Sequence, residues 1–113
     1  YDILEASYAG GGKLLIAGNG GSAADAEHIV GELMKSFVKK RELPSGYEEA
    51  LIKTDPEMGR VLSCHLQGAL PAIALDGHMA LSTAYQNDCE PLLCFAQQVN
   101  GFGTDKDAEG NNP

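Results

Sequence analysis

His28 and Glu32 stand four residues apart in the stretch Gly18-Asn19-Gly20-Gly21-Ser22-Ala23-Ala24-Asp25-Ala26-Glu27-His28-Ile29-Val30-Gly31-Glu32-Leu33. On a helix that spacing sets one a turn beyond the other on the same side. An imidazole and a carboxylate so placed could bind a divalent metal or move a proton. They could equally form a solvated pair on a helix surface. The glycine cluster just upstream tips the choice toward a site. Gly18, Gly20 and Gly21 allow backbone angles that other residues resist, and they let a ligand approach the main chain. A helix that starts there presents backbone N–H groups and a dipole that favour an anion, most often phosphate.

Two elements must position this chemistry. Leu14 to Ala17 is a short unbroken apolar run, the pattern of a strand covered on both faces. After the glycine turn, a helix is expected from Ala23 to about Lys39. Ser22 suits its cap, and Asp25 then fits the third helical position, a capping box with Asp in place of Glu or Gln. At about 100° per residue, Ala26, Ile29, Val30, Leu33, Met34 and Phe37 share one arc. Asp25, His28, Glu32 and Ser36 share the neighbouring arc.

The rest of the chain sets limits. Its net charge is −8. That argues against nonspecific binding to nucleic acid or to an anionic membrane, which needs a basic patch. No apolar run approaches the roughly 18 residues of a membrane span. The three cysteines, Cys64, Cys89 and Cys94, make no C-x-x-C pair, and the odd number suggests reduced thiols in a cytoplasm. The 113 residues suffice for one small domain.

Further elements follow in order. Asp2 to Ala9 reads as the end of a helix that Gly10-Gly11-Gly12 stops. Lys39-Lys40-Arg41-Glu42 reads as a solvated charged helix end. Tyr47 to Lys53 is a short helix. Asp55-Pro56 opens another, to about Leu66, with Met58, Val61, Leu62 and Leu66 inward. His65 on it is expected to be partly buried and structural. Leu70 to Leu75 is the second strand, and Pro71 near its start is tolerable. Asp76-Gly77-His78 is the turn at its C-terminal end, where ligands gather in open α/β sheets, so His78 could approach a site or stay exposed. Met79 to Gln86 is a helix ended by Asn87-Asp88. Glu90-Pro91 opens another, with Leu92, Leu93, Phe95, Ala96 and Val99 periodic. Gly103 to Pro113 is polar and reads as a loop or disordered end.

The run Gly18 to His28, followed by Glu32-Leu33, resembles the first signature of the sugar isomerase (SIS) fold. It is most similar to the phosphoheptose isomerases, and the likeness continues in Leu70 to Leu75 and at Asn87-Asp88. The resemblance implies an α/β fold: an SIS-type doubly wound parallel sheet with flanking helices, a flavodoxin- or Rossmann-like three-layer arrangement. In this chain it would be incomplete, a single partial SIS domain over 1–113. Residues 41–68 are longer than the connection in the common phosphoheptose isomerases and read as a helical insertion, a lid or an oligomer contact. The family's third strand, its Ser/Thr-rich phosphate loop, and a late helix carrying a Gln and a His are expected to lie beyond this sequence.

The implied activity is aldose–ketose isomerisation, converting sedoheptulose 7-phosphate to a glycero-manno-heptose 7-phosphate through an enediol. The resemblance gives Glu32 as the base. Asn19, Gly20, Gly21, Ser22, Glu32, Asn87 and Asp88 are the implied substrate contacts. His28 and Glu32 are the implied ligands of a divalent metal, zinc in the first instance, that polarises substrate oxygens. It also implies a cytoplasmic homotetramer. Two other readings stand beside this one. Some SIS proteins only bind phosphosugars or act as replication-initiator-associating adaptors, and the carboxylate retained at Glu32 favours the enzyme. Gly18-Asn19-Gly20-Gly21-Ser22-Ala23 also satisfies the dinucleotide pattern G-x-G-x-x-A. That pattern needs an acid about 20 residues on, at the end of a second strand, and Glu42 follows a helix instead.

Overall fold

Four apolar residues, Leu14–Ala17, form strand β1, and all four are buried. The computed structural model describes residues 2–36 and 38–111, without the side chains of 109–111. It divides into two units, Tyr1–Gly31 with Pro71–Pro113, and Glu32–Leu70.

In the first unit β1 is the central strand of a parallel sheet in the order β2-β1-β3. Strand β2, Ala72–Ala74, pairs in parallel with it, Leu15 opposite Ile73. This is the pairing that the two apolar runs predict, since parallel strands covered on both faces read as continuous apolar stretches. Strand β3, Ala108–Asn111, runs parallel on the other edge, Leu14 opposite Ala108. It overturns the expectation of a loop or disordered end for 108–111, and of no third strand in the chain; 103–107 is loop and turn as expected, and 112–113 lie outside the described residues. The sequence there lacks the apolar alternation of a strand because tertiary pairing, not patterning, makes it one. Asp107 anchors it. Its carboxylate accepts from the Lys13 amide at 2.9 Å, the Lys13 ammonium at 2.8 Å and the Thr104 amide at 2.7 Å. The Ala108 amide then donates to the Lys13 carbonyl at 2.8 Å. Ser7 of helix α1, Asp2–Ala9, adds a hydrogen bond to the Lys106 carbonyl. The Lys13 ammonium, then the amides of Thr104 and Lys13, hold the Asp107 carboxyl down to about 2 from its usual 3.8, against the opposing effect of desolvation.

Leu15 is 1% exposed and packs in a core with Ala17 and Leu75. Ile73, Phe95 and Val99 close around it. The last two belong to helix α6, Cys94–Phe102, which follows a 3-10 turn at Pro91–Leu93. Gln98 on the same helix is buried, and its amide donates to the Leu75 carbonyl at 2.8 Å. That bond satisfies a backbone acceptor just past β2. Of the periodic residues expected to pack here, Leu92 and Leu93 are instead exposed.

Helix α2 runs Gly21–Met34, starting earlier and ending sooner than expected. Ser22 therefore lies inside its first turn instead of at its cap. Ala26 is fully buried, but Ile29 is 38% and Met34 47% exposed. The apolar arc expected to pack on the strands is thus only partly turned inward, with Val30 and Leu33 half-buried. Phe37 lies outside the described residues. A strand of four residues is about 13 Å long and a helix of fourteen about 21 Å, so the strand cannot cover every turn.

The second unit is helical. At the end of α2 the Arg41 guanidinium donates to the carbonyls of Leu33 at 2.6 Å, Lys35 at 3.1 Å and Glu32 at 3.2 Å. Those are carbonyls a helix end leaves without intrahelical partners, and a cation suits that end of the dipole. Arg41 is therefore a helix clamp and not part of a solvated charged end. It also joins Gly68 through its side chain at 3.1 Å, while the Gly68 amide donates to the Arg41 carbonyl at 2.8 Å. The two ends of the expected 41–68 insertion are thus tied together. Between them lie α3, Tyr47–Thr54, and α4, Pro56–His65, close to their predicted limits. Asp55 accepts from the Met58 amide at 3.1 Å and Pro56 takes the first helical position, as the sequence signal predicts. The helices cross at Gly59, where a Cβ would stand 2.6 Å from Ile52 Cα. Met58, Val61 and Leu66 are exposed, contrary to the expected inward face, and His65 is exposed at the helix end. The crossing uses the glycine side of α4, which a search for large apolar residues overlooks.

Candidate functional site

The turn from β1 into α2 is shaped by two glycines. Gly20 has φ +57, the left-handed region that glycine enters without strain. Gly18 has no such angle but a close neighbour: a Cβ there would press on the Ser22 carbonyl, 2.6 Å from its carbon. The Ser22 amide donates to the Asn19 carbonyl at 3.0 Å and the Ala23 amide to the Gly20 carbonyl at 3.1 Å. The turn is thus internally braced where the helix begins.

A cleft of about 330 Å³ opens against this turn, lined by Gly18, Asn19, Gly20 and Ala23. Its size suits a small ligand. Asp76, two residues past the end of β2, forms another part of the lining, as do Ser82 and Gln86 of helix α5, Met79–Asp88. Pro91, Leu92, Cys94 and Phe95 complete it. The cleft therefore lies at the carboxyl ends of β1 and β2, the side of an open parallel sheet where ligands bind. Both Asp76 carboxyl oxygens are buried and have no hydrogen-bond partner among the described residues. Cys94 Sγ stands 3.9 Å from Ser82 Oγ.

The expected site residues take several positions. Asn19 and Gly20 line the cleft. Gly21 and Ser22 are the first two residues of α2. Asn87 and Asp88 are the last two residues of α5, both exposed and outside the cleft lining, which α5 reaches through Ser82 and Gln86. His28 and Glu32 both lie on α2, His28 exposed and Glu32 half-buried, and each makes an interaction with the protein. His28 falls in the first unit, and Glu32 is the first residue of the second. His78 is not in the cleft lining: its Nδ1 accepts from the Leu81 amide at 3.0 Å and caps α5. Among the described residues, no group of three or more His, Cys, Asp or Glu side chains is placed to hold a metal ion. Sequence reasoning missed Asp76, Ser82, Gln86 and Cys94. The turn after β2 was the available signal, and attention there fell on His78, whose imidazole proves to be a helix cap.

Comparison with known proteins gives the likeness a name. No family model matches the chain. A phosphoheptose isomerase of Thermodesulfovibrio yellowstonii is 39% identical over 106 residues, 94% of this chain and 40% of that protein. One of Burkholderia pseudomallei is 36% identical over 106 residues, again 94% of this chain and 41% of the relative. The chain is a homologue of phosphoheptose isomerases. A third such enzyme, from Desulfovibrio desulfuricans, is 32% identical over 97% of this chain and 43% of its own length. The similarity to phosphoheptose isomerases thus runs through nearly all of the sequence, while the chain spans only about two fifths of these relatives. No described helix is long and apolar enough to cross a membrane.

Proposed function

We propose that the full-length protein is an aldose–ketose isomerase of a phosphorylated sugar, with sedoheptulose 7-phosphate as substrate and an SIS-type doubly wound sheet as scaffold. The observation that carries this reading is the braced glycine turn, which opens on a cleft at the carboxyl ends of parallel strands in a chain homologous to phosphoheptose isomerases. Asn19, Gly20, Gly21 and Ser22 would hold substrate oxygens at the start of α2, where backbone amides and the helix dipole favour an anion. Asn87 and Asp88 would contact the sugar. Glu32 would take the proton from C1 of the ketose and return it to C2. The C2 carbonyl becomes a hydroxyl and C1 becomes the aldehyde, by way of an enediol.

His28 and Glu32 supply two metal donors, one short of the usual three of a catalytic zinc site. The described residues do not complete a zinc site, and no step is assigned to a metal. A cytoplasmic homotetramer belongs to the same proposal and is read by sizing the full-length protein.

The deciding variant is Glu32→Gln in the full-length protein, which keeps shape and removes the basic carboxylate. Turnover of sedoheptulose 7-phosphate should fall at least about a hundredfold, the contribution of a positioned general base. Solvent deuterium incorporation at C1 and C2 should fall with it. Bound metal is measured alongside, so that loss of an ion is not mistaken for loss of the base. Turnover close to wild type rejects Glu32 as base. A wild-type protein inert towards phosphoheptoses rejects the enzyme.

A further inference from the structure

A carboxyl group buried without a hydrogen-bond donor is costly, because its hydration is lost and nothing replaces it. Buried polar groups are nearly always paired, so each exception calls for a reason. Asp76 is such an exception. Its two oxygens are buried and have no hydrogen-bond partner among the described residues, and the residue lines the cleft next to the carboxyl end of β2. The other polar residues around that cleft are neutral: Asn19, Ser82 and Gln86. Ser82 and Gln86 are four apart on α5, so they stand one turn above the other on one side of the helix.

We propose that Asp76, with Ser82 and Gln86, forms the wall of the cleft that recognises the hydroxyl groups of a polyhydroxylated ligand, with Asp76 as their principal acceptor. The inference rests on the phosphosugar reading and adds to it residues that reading does not use. Charge sets the ligand's direction. A phosphate next to Asp76 would meet a second acid, whereas at the start of α2 it meets amides and the positive end of the dipole. The anionic end is therefore directed away from Asp76, and the hydroxyl-bearing carbons face it. A carboxylate is an acceptor for several donors, and a polyol brings several. Binding through Asp76 requires its carboxyl to turn about its two side-chain torsions towards the cleft. Ser82 and Gln86 can each donate and accept, so they suit hydroxyls in either role. The cost of the unpaired acid in the free protein is offset only when ligand is bound.

The test uses the full-length protein with Asp76→Asn and Asp76→Ala, titrated calorimetrically with sedoheptulose 7-phosphate and, separately, with inorganic phosphate. Affinity for the sugar phosphate should fall about tenfold or more in both variants, while that for inorganic phosphate changes less than about twofold. Without ligand, both variants should melt at or above the wild-type temperature, since an unpaired buried acid has been removed. A purely structural acid gives the opposite pattern: lower melting and an unchanged ratio of the two affinities. That pattern overturns the proposal, as does equal loss of both ligands. A wild-type protein that binds inorganic phosphate but not the sugar phosphate also overturns it. A wild-type protein that binds the sugar phosphate through Asp76 without isomerising it removes the isomerase reading and leaves this one standing.

Discussion

The two units of this chain are held by different physics. In the first, β1 is wholly buried and Leu15 sits among Ala17, Leu75, Ile73, Phe95 and Val99. Its stability comes from apolar area withdrawn from water. In the second, Gly59 is the buried residue of α4 and no residue of α3 is buried. What holds it is geometry and polar closure: the Gly59 crossing, the Asp55 cap, and the Arg41 guanidinium across the carbonyls that end α2. Burial is collective and tolerates small shifts, whereas caps and clamps depend on single atoms. The second unit should therefore open locally at a lower free energy than the sheet does.

Variants can break or sharpen that contrast. The largest effect is expected from Leu15→Ala, which empties the centre of the first unit and should cost about 2–5 kcal/mol in denaturant unfolding of the full-length protein. A cost below about 1 kcal/mol would mean that Leu15 is not the core residue its burial indicates. Next is Arg41→Ala, which leaves several carbonyls at the end of α2 without their donor and should cost about 2 kcal/mol. Amide exchange should then rise across 41–68 while β1 remains protected. Equal acceleration in both regions would show one cooperative block and undo the comparison. Asp55→Ala removes a cap and should cost about 1 kcal/mol, with exchange raised first at Met58.

Asp107, whose effect is read as a pH dependence, reports on the edge of the first unit. Its carboxyl is held at about 2 against a usual 3.8, so it is lowered by folding. A lowered acid adds stability that is complete above its unfolded pKa and is lost as pH falls through the folded one. Thermal stability should therefore be level above about pH 5 and decline between about pH 4 and 2. Asp107→Asn should flatten that decline. An unchanged acid limb in the variant would show that Lys13 and Asp107 do not hold β3 in solution.

How much of this was legible can be read residue by residue. The glycines after Ala9 stop α1, Asp55-Pro56 opens α4, and the apolar runs at Leu14 and Ala72 pair as parallel strands. Each of these signals is local: a cap, a forced φ or a buried run acts through its immediate neighbours. The reach of α2 was harder to judge. The apolar arc to Phe37 suggested a longer helix, but Arg41, seven residues beyond Met34, takes up its terminal carbonyls. The site divides in the same way. The turn at Gly18 to Gly21 could be recognised from composition and spacing, and the roles of His28 and Glu32 rest on spacing and resemblance alone.

What the sequence determined by itself is therefore the β1–turn–α2 motif, the pairing of the two apolar strands, the helix starts that carry caps, and the kinship with phosphoheptose isomerases. The fold alone decided the rest. Ala108–Asn111 became a strand because Asp107 meets Lys13 from 94 residues away and brings the segment to the open edge of β1. Asp76 became the unpaired acid of a cleft because α5 and α6 supply walls that the turn after β2 does not encode. The physical reason is the same in both cases. A polar group has no fixed meaning until its surroundings determine which partners it gains and how much water it loses.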